Sequence, residues 1–144
     1  MVYVVRNGVL AIKAGGRGDV TKKNVVWRGK GSSVISSPVY HDGRLYWLSS
    51  DLLSCIDATT GKDIYRQRLA KGGVFFASAM VADGKIYCVS RFSGTYVVAE
   101  GDKFRELAHN IFADDNSRTN ASPIVHDGCL LMRTDQYLYC IGKR

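Results

Sequence analysis

Apolar and polar residues alternate in short runs along this chain, and no run of useful length keeps a helical period. Residues 45–49 show the pattern: Tyr46 and Leu48 fall on one face of a strand, and Leu45 and Trp47 on the other. Read this way, the chain predicts strands at residues 38–40, 45–49, 52–57 and 63–69. A second set follows at 80–81, 86–90, 95–99 and 104–108, and a third at 123–125, 130–133 and 137–141. Ahead of them lie 2–5, 9–13 and 25–28, with a long polar loop at residues 14–24. The expected fold class is all-β.

One phrase recurs at the start of three of these sets: SSPVYHDGRLYWLSS from Ser36, ASAMVADGKIYCVS from Ala77 and ASPIVHDGCLLMRT from Ala121. Each copy is a strand, an Asp-Gly pair and a second strand. Asp-Gly supplies the positive φ angles of a two-residue hairpin turn. The anchoring glycines Gly43, Gly84 and Gly128 are 41 and 44 residues apart. A period of this size built from short strands is the pattern of a β-propeller, one four-stranded antiparallel sheet per repeat. The expected units are residues 1–31, 32–70, 71–112 and 113–144. The second and third are full blades; the first lacks its opening strand and the last its closing one. The chain then reads as an incomplete propeller, half of an eight-bladed ring.

A chain of 144 residues with 46% hydrophobic and 23% charged residues is an ordinary globular domain. No stretch approaches the roughly 20 apolar residues of a spanning helix. Residues 1–13 carry no basic segment before an apolar run, so they read as two strands around a turn and not as an export signal. The compartment stays open: cytoplasmic, or another one if a leader lies upstream. The net charge of +7 is concentrated in the first repeat at Arg6, Lys13, Arg17, Lys22, Lys23, Arg28 and Lys30. A polyanion such as nucleic acid is the partner such a cluster suggests, but no aromatic residues interleave it as a stacking platform needs. Solvated strand faces are the preferred reading.

The segment Cys55-Ile56-Asp57-Ala58-Thr59-Thr60-Gly61-Lys62-Asp63-Ile64-Tyr65 resembles the motif A-x-D-x-x-T-G-x-x-x-W of the PQQ-type propeller repeat. Asp57, Thr60 and Gly61 match, Cys55 stands at the Ala position and Tyr65 at the Trp. Ala11 and Trp27 keep the ends of the motif in the first repeat. The pairs Ser37-Pro38 and Ser122-Pro123 ahead of Asp-Gly also resemble this repeat. Residues 10–27 are similar to a subgroup of PQQ-like repeat proteins of planctomycete-type bacteria. The family includes quinoprotein alcohol dehydrogenases and outer-membrane assembly lipoproteins of the BamB type. The resemblance therefore implies a propeller, a periplasmic or cell-envelope location if a leader precedes the chain, and either a scaffold or a PQQ- and calcium-dependent oxidoreductase.

Candidate chemistry is sparse. Cys55, Cys88, Cys129 and Cys140 form no C-x-x-C pair and no metal-ligand spacing. Cys55 and Cys140 align with Ala11 and Val97, and Cys88 with Trp47 and Met132, so these three read as core filler. Cys129 follows a turn and is the thiol expected to be exposed. His41 and His126 share a pre-turn position and read as solvent-facing; His109 stands alone. Arg17-Gly18-Asp19 spells an adhesion tripeptide on a loop, and Gly15, Gly16 and Gly18 precede no helix that would make them a phosphate cradle. Asp114-Asp115-Asn116 lacks the spacing of a calcium loop. The serines at 32–33, 36–37 and 49–50 are strand edges and turns, not a nucleophile elbow. No catalytic, cofactor-binding or metal-binding residue is assigned. The expected role is a non-enzymatic platform for a protein partner, with homo-oligomers forming through exposed blade edges. The alternatives are a fragment of a quinoprotein oxidoreductase, with PQQ and calcium, and a polyanion binder. The closing residues 137–144 read as a natural C-terminus.

Overall fold

A computed structural model describes residues 1–70 and 73–142. Among them the chain forms fourteen strands and one helical turn. The strands are β1 (Val2–Val5), β2 (Asn7–Ile12), β3 (Val25–Ser32), β4 (Val39–His41), β5 (Arg44–Ser49), β6 (Leu52–Asp57) and β7 (Asp63–Arg68) in the first half. The second half holds β8 (Met80–Ala82), β9 (Lys85–Val89), β10 (Thr95–Ala99), β11 (Glu106–Asn110), β12 (Ile124–His126), β13 (Cys129–Arg133) and β14 (Leu138–Ile141). They pair in chain order into four antiparallel sheets, β1-β2-β3, β4-β5-β6-β7, β8-β9-β10-β11 and β12-β13-β14, none of them closed. The all-β expectation holds, with three, four, four and three strands. The expected repeat boundary at residue 71 and the last two residues of the chain, 143 and 144, lie outside the described residues.

The turns follow from their chemistry. Asp42 and Gly43 have φ of 42° and 74°, Asp83 and Gly84 of 50° and 64°, and Asp127 and Gly128 of 48° and 73°. Both central residues of each hairpin are thus left-handed, as a type I′ turn requires. Two details depart from the sequence pattern. The loop after β2 contains the helical turn α1 (Thr21–Asn24), because Asn24 Nδ2 ties it down by donating to the carbonyls of Lys13 and Gly15 at 2.9 and 2.7 Å. β11 starts two residues later than the expected 104, beyond a register shift at Val97/Val98. Phe104 is drawn instead against the core, edge-on to Tyr65 with ring centroids 6.0 Å apart.

Strand alternation then builds three gaps between successive sheets. Leu45 and Trp47 of β5 meet Val5 and Val9 in the first gap. Tyr46 and Leu48, on the other face of β5, meet Ile86, Cys88, Tyr96 and Val98 in the second. Each side chain fully buried this way contributes about 1.5–3 kcal/mol. The third gap is thinner: Ala77 and Val89 touch Met132, with Phe112, Leu130 and Tyr139 only partly covered.

A row of serines joins the sheets along one side. The Ser37 amide donates to Ser78 Oγ at 2.9 Å, and the Ser78 amide donates to Ser122 Oγ at 2.9 Å. Each serine lies two residues ahead of the first strand of its sheet, so the same bond in the same sense links second sheet to third and third to fourth.

Candidate functional site

One cross-strand row distinguishes the third gap from the other two. Pairing across the sheets aligns Tyr3, Ala11 and Trp27 in the first, Tyr46, Cys55 and Tyr65 in the second, and Tyr87, Val97 and Ala108 in the third. Trp27 packs into the first gap and donates its indole N–H to the Ala58 carbonyl at 3.1 Å. Tyr65 packs into the second. At this position the third sheet carries the half-buried Ala108, a methyl where the first two sheets have a ring. Between the third and fourth sheets there is an open cleft of about 900 Å³, within the size range of small-ligand sites, roughly 300–1,000 Å³. Its walls are Tyr87 and Val97 on one side, Leu130, Met132 and Ile141 on the other, and Phe112 from the connecting loop. Asp83 and Asp127, from equivalent hairpins, stand at its rim with exposed side chains; Asp83 is paired with Lys85 at 2.6 Å and Asp127 with His126 at 3.3 Å.

Two carboxylates hold the connecting loop against the fourth sheet: Asp135, which accepts from Arg118 Nε at 2.7 Å, and Asp115. Asp115 Oδ1 accepts from the amide and hydroxyl of Ser117 at 3.0 and 2.6 Å. Its Oδ2 accepts from Thr134 Oγ1 at 2.7 Å and from the Tyr139 hydroxyl at 2.9 Å. Phe112, three residues earlier, stacks on Tyr139 with centroids 3.8 Å apart. The hydroxyl of Ser117, foremost among these donors, lowers the Asp115 carboxyl to about 2, and burial together with the bond to Asp115 raises the Tyr139 phenol to about 12. A carboxyl depressed in the fold stabilises it fully above the ordinary carboxyl range and loses that contribution as pH falls toward the folded value. Between pH 4 and pH 2 the Phe112–Tyr139 near-ultraviolet dichroism is expected to fade before the far-ultraviolet β signal does. In Asp115→Asn the early loss should be absent, the signal being weak already at neutral pH.

The remaining candidates from the sequence fall in different places. Cys55 and Cys88 are buried in the second gap, and burial pushes the Cys55 thiol to about 12 and the Cys88 thiol upward as well. The expectation that Cys140 is core filler and Cys129 the exposed thiol is corrected: Cys140 is exposed and Cys129 half-buried. Cys140 occupies the slot that in sheets two and three faces the next sheet, and no described sheet covers it. Strand register also brings the two sulfurs together, and the Cys129–Cys140 hydrogen bond raises the Cys140 thiol. No spacing rule in the sequence signals this pair. Under native conditions iodoacetamide is expected to label Cys140 first and Cys129 more slowly. Cys55 and Cys88 should be labelled only in denaturant, as peptide mass spectrometry would read out.

His41 is exposed and 3.4 Å from Glu100, and His126 is more exposed still. His109 stacks on Tyr96 with centroids 4.0 Å apart and bonds to the Ser93 carbonyl. The Arg17-Gly18-Asp19 segment is exposed, and Asp19 accepts from the Thr21 amide at 2.9 Å. The seven basic residues of the first repeat are all exposed. Ser33 and Ser36 are spent on local bonds, to each other and to the Leu48 carbonyl. Among the described residues, no group of three or more His, Cys, Asp or Glu side chains is placed to hold a metal ion. Trp47 is fully enclosed, and Trp27 is half-buried against Tyr3 and Gly61. No described helix is long and apolar enough to cross a membrane. Comparison with models of known families gives no match, and comparison with curated proteins gives none either.

Proposed function

We propose that the four sheets are successive blades of a PQQ-type β-propeller array and that the chain serves as a non-catalytic platform for protein partners. The observation that carries this reading is the repetition of one interface. The same serine bond links the second sheet to the third and the third to the fourth, and the same face-to-face packing joins the first to the second and the second to the third, which is how repeat arrays gain stability from nearest neighbours. Against that regular background the open third gap is the natural binding surface. The outermost sheets add exposed apolar side chains, Val2, Val4 and Val26 at one end and Ile124 and Leu138 at the other. Surfaces of this kind suit association, including with a second copy.

Two measurements test the proposal. With PQQ and calcium added, the chain should show no alcohol or sugar dehydrogenase activity and retain no cofactor absorbance after gel filtration; activity would overturn the non-catalytic half. For the binding half, 1-anilinonaphthalene-8-sulfonate fluorescence should saturate as one site and weaken at least tenfold in a folded Leu130→Glu variant. Absence of saturable binding would overturn it.

A further inference from the structure

We infer that the cleft between the third and fourth sheets receives an aromatic side chain, tryptophan or tyrosine, presented by a protein partner. This inference rests on the platform reading above and names what the platform takes. Its ground is the continuity of the cleft with the two filled gaps. At the position paired with Ala11 and with Cys55 the chain supplies its own aromatic ring, Trp27 and Tyr65. At the position paired with Val97 it supplies Ala108, and the cleft opens beside that row.

The walls have the chemistry of a ring site. Tyr87 continues the Val97–Ala108 row, the stacked Phe112 and Tyr139 stand at the connecting loop, and the Met132 sulfur, which accepts from Thr95 Oγ1 at 3.8 Å, lies across the gap. Aromatic rings and thioethers both attract an entering ring beyond what apolar contact alone provides. A ring entering here would complete the third gap as Trp27 and Tyr65 complete the others.

Met132 makes the test direct, because the chain has only 3 methionines. With methyl-labelled methionine, N-acetyl-tryptophanamide should shift the Met132 resonance saturably by its ring current. N-acetyl-leucinamide should bind at least tenfold more weakly. Ala108→Trp should fill the cleft from within, displace the Met132 resonance before any addition and reduce tryptophanamide affinity at least tenfold. If that variant fails to fold, Ala108→Tyr, matching Tyr65, serves in its place. Equal binding of the two amides would overturn the aromatic assignment, as would undiminished binding by the filled variants. If Met132 does not respond while the naphthalene dye still saturates and Leu130→Glu still weakens it, this inference fails and the platform reading stands. If neither probe binds, both fail.

Discussion

Trp47→Ala is expected to destabilise the fold by about 3–5 kcal/mol, the usual cost of truncating a large buried aromatic. Trp47 is 0% exposed and occupies the gap between the first and second sheets beside Leu45, Ile56 and Val9. Three further interactions go with the ring. Its indole N–H donates to the Ser32 carbonyl at 3.2 Å, the Arg66 guanidinium lies over its face 5.6 Å from the centroid, and Gly31 is packed tightly against its edge. Losing the ring leaves the Ser32 carbonyl without this donor and opens a void between two packed sheets. Typical domains are stable by only about 5–15 kcal/mol, so the variant should populate unfolded chain at moderate urea. Unfolding followed by far-ultraviolet dichroism should show a lower midpoint with an unchanged slope. A loss below about 1 kcal/mol would mean that the first sheet does not share a cooperative core with the second.

Gly94→Ala is the second large effect, at about 2–4 kcal/mol from left-handed strain and overpacking combined. Gly94 closes the turn between β9 and β10 with φ of 80°, and its carbonyl accepts from the Ser90 amide at 2.9 Å. A Cβ there would stand 2.2 Å from the Asn110 carbonyl oxygen and 3.0 Å from Ile111 Cγ1. The first neighbour is backbone, so β10 and β11 must separate at the Thr95–Asn110 pair, the edge of the cleft. Gly84→Ala is the control: its φ is 64° but nothing lies within 4 Å of the added carbon, so only conformational strain of about 1 kcal/mol is due. Thermal melts of the two variants should differ accordingly, and equal shifts would show that the Asn110 backbone yields freely.

What could be read in the chain before its structure was whatever depends on neighbours in sequence. Strict alternation placed Leu45 and Trp47 opposite Tyr46 and Leu48, and Asp-Gly pairs fixed three hairpins, so strands and sheets were legible. The burial of Cys55 and Cys88 followed from their alignment with apolar residues. Features set by register between distant segments were not legible. Ala108 lies across from Val97, a wall of the cleft, beside a register shift that alternation does not encode. The meeting of Cys129 with Cys140 depends on the pairing of β13 with β14. The exposure of Cys140 reflects which face is covered, a property of sheet stacking that a repeat alignment leaves out. Asp115 looked like a loop residue: two of its four bonds are local, to Ser117, but the other two reach forward to Thr134 and Tyr139, far beyond any local turn rule.

The serine row has a direction, since every rung runs from the amide of one sheet to the hydroxyl of the next. A residue in the middle, such as Ser78, therefore plays donor and acceptor at once, and proline there would break both rungs. The direction also bears on how such a gene can grow. A duplicated unit of one full period carries its own serine, splices into the row between existing rungs and leaves its neighbours bonded as before. Loop length within a unit can vary without breaking the row, since its serines are 41 and 44 residues apart and both rungs form. Whole-unit duplication or deletion, and loop changes of this kind, are the length changes that this arrangement tolerates.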